Sequence, residues 1–260
     1  MTLGEADPTR TVWSVTGTDA LTFLQGLVSN DVRPLDTAPG IVWAALLTPQ
    51  GKYLADFFVL RRSGGDLLID IATALAPATL RRLTMYRLRA DVQITPTALQ
   101  VRRGLGLTPP DAPPDCMPDP RHPALGWRAY DTLTGTPPMI DWDSIRVAHL
   151  IPESGIERIP DESYILEAGF ERLHGVDFRK GCYVGQEVTA RMKHKTELRK
   201  GLARVSIAGE ASAGTEILAD GKPAGQLFTR SGAQAIAYLR FDRGDAVLTA
   251  GSATLRLDPT

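Results

Sequence analysis

The chain has 260 residues, 43 % hydrophobic and 23 % charged, a globular balance that suits one large domain or a large and a small one. Lys and Arg number 29 against 30 Asp and Glu, which excludes a global field drawing the chain to nucleic acid or membrane. Two cysteines exclude a disulfide framework, the apolar run Ile41 to Leu47 is far short of the roughly 20 residues of a bilayer span, and the N-terminus MTLGEADPTR has no apolar signal core. The expectation is a soluble cytoplasmic protein.

The apolar spacing of Ala20, Phe23, Leu24 and Leu27 predicts a helix over Asp19–Val28, ended by the turn-favouring Ser29-Asn30-Asp31. Ile41–Leu47 and Tyr53–Leu60 read as a hairpin around Thr48-Pro49-Gln50-Gly51-Lys52, followed by a third strand at Leu67–Ile71. A helix is predicted from Pro77 to Leu88, then short strands near Val92–Thr95 and Leu99–Leu107. Residues 108–123 hold seven prolines in sixteen, too many for a sheet or helix, and read as an exposed connector with Cys116 an incidental passenger. A short helix fits Asp143–Leu150. After Arg199, short strands separated by Gly and Asp-Gly turns suggest a small β-barrel. The fold class is α+β, divided as residues 1–198 and 199–260.

The most informative stretch is Val176 to Arg191, VDFRKGCYVGQEVTAR. Gly181 and Gly185 bracket Cys182-Tyr183-Val184 and permit a tight turn close to a ligand. Lys180, Arg179 and Arg191 neighbour the thiol in sequence, and cations favour the reactive thiolate. Gln186 and Glu187 offer an amide and a carboxylate suited to the donor–acceptor edge of a heterocycle. From Arg172 to Arg204 nine Lys or Arg face three acids, a local basic excess that would attract a ligand with several carboxylates. A small buried hydrophobe is the competing reading of Cys182, and a solvated face that of the basic run.

Other candidates also carry two readings. Asn30 and Asp31 either present polar groups to a cavity or satisfy a turn. Gln25 either lines that cavity or lies on the surface. Asp56 interrupts an apolar strand and sits either in solvent or against Arg87 or Arg89. Arg146 is either a carboxylate clamp or a surface helix charge. The four histidines lack metal-ligand spacing, so no metal site is expected.

KGCYVGQE at 180–187 resembles the signature of the YgfZ family. GTDALTFLQGLVSNDV at 17–32, LLTPQGKYLADFF at 46–58, YRLRADV at 86–92 and the barrel segment GKPAGQLFTR are similar to further family landmarks in the same order. Ser163-Tyr164-Ile165 departs from the family, which often has an Asn there, and puts local pterin contacts in doubt. The resemblance implies the folate-binding fold shared with the aminomethyltransferase of glycine cleavage, and a tetrahydrofolate-type ligand. It further implies work on iron–sulfur proteins, with client proteins and the assembly machinery as partners. It makes Cys182 the functional thiol and Lys180 its electrostatic partner. It places the folate among Gln25, Asn30, Asp31, Asp56, Arg146, Tyr183, Gln186, Glu187 and Arg191. One thiolate is too few for a [4Fe–4S] cluster, which takes four, so transient contact is the compatible role. The rival readings are a folate-dependent one-carbon transferase and an RNA-binding scaffold. The second is disfavoured by net charge and the lack of an aromatic stacking platform.

Overall fold

The hairpin expected around residue 50 is one edge of a five-stranded antiparallel sheet. The computed structural model describes residues 4–109, 112, 115–195, 197–244 and 246–258. It separates into two compact units, Met1–Ile140 with Glu171–Gln186, and Asp141–Phe170 with Glu187–Thr260.

In the first unit β1 is Glu5–Ala6, β2 Arg10–Thr16, β3 Gly40–Leu47, β4 Tyr53–Arg61, β5 Leu67–Ala72, β6 Gln93–Pro96, β7 Gln100–Gly104, β8 Met117–Pro118 and β9 Trp127–Asp131. The helices are α1, Ala20–Gln25, and α2, Ala76–Arg87. The large sheet runs β3-β4-β5-β2-β6, and a second one runs β1-β7-β9-β8. β2 was not foreseen, yet it lies inside the large sheet, with Trp13 opposite Ile69 on one side and Pro96 on the other. Its alternation is short, and the neighbours that make it a strand arrive more than fifty residues later.

Alternate residues of β4 serve opposite faces, as the strand period of two requires. Phe57 and Val59 join Leu24, Val28, Ile69, Ile71 and Leu83 in the apolar core under α1 and α2. Phe58 meets the guanidiniums of Arg128, Arg121 and Arg10 at 4.4, 4.9 and 5.5 Å from its centroid. Beside it Asp70, fully buried on β5, accepts from Arg10 Nε at 2.6 Å, Arg128 Nη2 at 2.7 Å and the Tyr130 hydroxyl at 2.9 Å. Burial pushes the Asp70 carboxyl up, but Arg10 and Arg128 outweigh it and hold the group down at about 2.

Part of the expected connector is structured instead. Met117 and Pro118 pair with Arg128 and Trp127, and Asp119 and Arg121 are buried as an ion pair 2.8 Å long. The side chains that fill this layer come between the prolines, while Pro118 and Pro123 themselves stay exposed. Residues 110, 111, 113 and 114 of that expectation lie outside the described residues.

In the second unit α3 is Trp142–Ala148 and α4 Gln186–Lys195, the latter beginning on the last residue of the first unit. Strands β10 Lys200–Ala208, β11 Glu216–Ala219, β12 Lys222–Ser231, β13 Gln234–Arg240, β14 Leu248–Ala250 and β15 Ala253–Leu257 close a barrel in the order β10-β13-β12-β11-β14-β15. Small inward side chains such as Ala219, Ala235, Ala237 and Ala250 let six short strands fill their own interior. Residues 141–170 are compact with the barrel. The Glu167 carbonyl accepts from Leu202 N at 2.8 Å and its carboxylate from the Tyr238 hydroxyl at 2.7 Å.

Candidate functional site

The Ser29-Asn30-Asp31 turn is a fastening. Ser29 Oγ donates to Gly175 O at 2.6 Å and accepts from Ala45 N at 2.8 Å. Asn30 Nδ2 donates to Trp43 O at 2.9 Å and His174 O at 2.7 Å, while its Oδ1 accepts from Asp31 N at 3.0 Å. Of the two readings left open for Asn30, the structure carries the satisfied turn, which clips residues 174–175 to β3. Asp31 holds Arg33, whose guanidinium and backbone lower the carboxyl below its ordinary range.

Lys180 is buried, and its amine is held by backbone carbonyls at the end of α1. Its Nζ donates to Gln25 O at 2.5 Å and Val28 O at 2.6 Å, the carbonyls left open where α1 ends, and lies 4.8 Å above the Tyr183 ring. Burial lowers its pKa to about 8, against an opposing pull from Asp31. Gln25 completes the join, with Oε1 accepting from Val32 N at 3.0 Å and Nε2 donating to Lys180 O at 3.3 Å. The sequence places Lys180 two residues from Cys182, but α1 supplies the acceptors that claim its amine.

The two glycines act differently. A Cβ on Gly185 (φ +83°) would stand 2.5 Å from Thr48 O and 2.9 Å from Leu47 Cβ, so only glycine lets the loop lie against the β3–β4 turn. Gly181 (φ +98°) has open space around it and is required by its backbone angle alone. Between them Tyr183 is buried and Val184 packs on the apolar core, while Cys182 is exposed and unbridged. The reading of Cys182 as a small core hydrophobe is therefore set aside. Cys116 is half-buried, and burial pushes its thiol up to about 11.

The remaining candidates separate. Asp56 is buried and accepts from the Trp43 indole at 2.7 Å and the Tyr53 hydroxyl at 2.5 Å; the expected Arg87 or Arg89 partner is replaced by aromatic donors on the same hairpin. Arg87 instead donates to Val92 O at 3.3 Å. Arg146, in the second unit, is buried among Asp143, Glu157, Ile151 O and Thr229, so the carboxylates it clamps are the protein's own. Gln186 starts α4, and on that helix Glu187 pairs with Arg191 at 2.9 Å, both exposed. Among the described residues no cluster of three or more His, Cys, Asp or Glu could hold a metal ion. No helix of the described residues is long and apolar enough to cross a membrane. Tyr53 was missed as a site residue; its place three residues before Asp56, both buried on one strand, was the available signal.

Residues 199–260 match the family described as CAF17, C-terminal beta-barrel domain. The chain is 33 % identical over 228 residues to the iron–sulfur cluster assembly factor IBA57 homolog, mitochondrial, of Mycosarcoma maydis, covering 76 % of this chain and 56 % of that protein. The chain is similar to the IBA57 proteins. The Mus musculus iron–sulfur cluster assembly factor IBA57 is 28 % identical over 272 residues, with 89 % of this chain and 75 % of that protein covered. The chain spans little more than half the length of the fungal IBA57 relatives, 56 % for Mycosarcoma maydis and 55 % for Neurospora crassa. The glycine cleavage system aminomethyltransferase T of Bartonella henselae superposes with a TM-score of 0.74 over 97 % of this chain and 83 % of that one, at 12 % identity, so the two share a fold. The IBA57 relatives are named mitochondrial, and this overturns the expectation of a cytoplasmic protein.

Proposed function

We propose that the chain is an iron–sulfur cluster assembly factor of the IBA57 and YgfZ kind, which offers a single thiol to a cluster handled together with a partner. The observation that carries this reading is Cys182: an exposed, unbridged thiol on a loop fixed on both sides, by Lys180 on α1 and by Gly185 on the β3–β4 turn. One thiolate supplies one of the four ligands a [4Fe–4S] cluster takes, so the rest belong to the partner or client. A pinned loop spares the ordering entropy that a mobile thiol would lose on contact.

Tetrahydrofolate is the ligand class that the resemblance brings to the first unit, and the Asp56 cluster fits it in kind. A carboxylate suits the N–H donors of a reduced pterin, and Trp43 and Tyr53 offer aromatic faces. The fit has a condition: Trp43, Tyr53 and Asp56 are all buried, so a ligand reaches the carboxylate only when these side chains move apart. When bound, folate would supply a one-carbon acceptor or carrier. Gln25, Asn30 and Lys180 would keep the neighbouring loop in place.

The proposal is tested in cells deleted for the chain, by comparing the activities of [4Fe–4S] and [2Fe–2S] enzymes. Selective loss of the first group supports it; equal activities in deleted and wild-type cells contradict it. Titration of the purified chain with tetrahydrofolate tests the ligand separately. Tetrahydrofolate-dependent release of formaldehyde from an aminomethyl donor would favour the transferase reading instead.

A further inference from the structure

The solvent face of α2 is unlike an ordinary exposed helix surface. Its inner side buries Ala76, Thr79 and Leu83. The outer side carries Arg81 and Met85 at i and i+4, and Leu88 follows the last helical residue, Arg87. Met85 is 70 % and Leu88 88 % exposed. Arg82, Arg87 and Arg89 flank them, and no carboxylate occurs in the sequence from Ile71 to Ala90.

Leu88 closes the helix at φ +45° and ψ −105°, a conformation an L side chain adopts at a cost and for which glycine is the usual choice. The chain beyond it is fixed. Asp91 accepts from Thr18 N at 2.9 Å and Thr18 Oγ1 at 3.0 Å, and its own N–H donates to Asp19 Oδ2 at 2.8 Å. The strained residue is thus held from both sides with its side chain turned to solvent. Residues kept in sparsely populated backbone regions by their surroundings concentrate where a side chain must be presented.

We infer that this face docks a protein partner whose surface sets carboxylates around an apolar recess, with Leu88 and Met85 entering the recess. Charge complementarity selects the partner: all four cations are arginine, whose planar fork pairs with carboxylates bidentately. Met and Arg are the residue types enriched in protein interfaces. The surface is independent of the thiol and of folate, so its failure would leave the proposed function standing.

The test is photocrosslinking in cells from a benzophenone side chain at position 85 of the full chain, with position 216 as an exposed control and adducts identified by mass spectrometry. The expected result is one adduct, absent from position 216, to a protein of net negative charge. It should weaken at least fivefold with Leu88→Gly and with Arg81→Glu/Arg82→Glu. Purified Leu88→Gly should melt at or above the wild-type temperature, because glycine relieves the backbone. The proposal is overturned by no adduct, by an adduct unchanged in both variants, or by an adduct to a second copy of this chain. It is equally overturned by binding of the wild-type chain, lost in the charge-reversed variant, to vesicles of phosphatidylglycerol or to RNA. A lower melting temperature for Leu88→Gly would show that the side chain serves the fold, and would also overturn it.

Discussion

Lys180 and Gln25 bind each other's backbone: the lysine Nζ donates to Gln25 O at 2.5 Å, and Gln25 Nε2 donates back to Lys180 O at 3.3 Å. This reciprocal join makes the lysine of the KGCYVGQE loop an anchor. Lys180→Ala strands the carbonyls of Gln25 and Val28 and should lower stability by about 2–4 kcal/mol, read by chemical denaturation. An unchanged denaturation midpoint would contradict the anchoring role.

The same lysine has a pH signature. Burial holds it at about 8 against an ordinary 10.5, with Asp31 opposing the shift. Between those values the unfolded chain keeps a proton that the folded chain has released, so stability gained from this group rises with pH across that window. The stability of wild type relative to Lys180→Met should therefore increase from pH 8 to pH 10.5. A relative stability that stays flat over this range would show the amine to be solvated.

The two loop glycines should respond unequally. Gly185→Ala meets both a positive φ and the Thr48 carbonyl, and should cost about 3 kcal/mol or more. Gly181→Ala meets only the backbone angle and should cost about 1–2 kcal/mol. Comparing the two melting temperatures checks the close approach to the β3–β4 turn.

Acid stability should report Asp70. Burial raises its pKa and Arg10 and Arg128 more than reverse this, leaving it at about 2 against an ordinary 3.8. Its stabilisation is present above pH 3.8 and lost as pH falls through 2. Asp70→Asn leaves two buried guanidiniums short of charge and should cost about 3–5 kcal/mol at neutral pH, with a shallower loss between pH 4 and pH 2.

The folate reading predicts a gain. Tyr53→Phe removes a donor from Asp56 and should tighten tetrahydrofolate binding about threefold or more, while Asp56→Asn should weaken it at least tenfold, both by calorimetry. Weaker binding by Tyr53→Phe would place the ligand elsewhere.

Local features were legible in the sequence and distant partners were not. The hairpin of β3 and β4 was readable because its apolar runs and its Pro-Gln-Gly turn are contiguous, and the barrel because its turns recur at short spacing. The α1 helix is shorter than its apolar spacing predicted, ending at Gln25, because the following carbonyls are taken by Lys180, 155 residues away. Arg146 read equally well as a clamp or a surface charge, since neither Glu157 nor Thr229, 83 residues distant, is visible from its helix. Asp56 found Trp43 across a strand pair, a register that spacing alone does not give. The glycines around Cys182 were readable; which of them touches backbone was not.

The most direct test is complementation of deleted cells with Cys182→Ala, assayed by [4Fe–4S] enzyme activity beside the melting temperature of the purified variant. An exposed side chain contributes little to folding, so melting should stay close to wild type while the enzyme activity stays at the deleted-cell level. Full recovery of that activity by Cys182→Ala would contradict a thiol at the centre of the function.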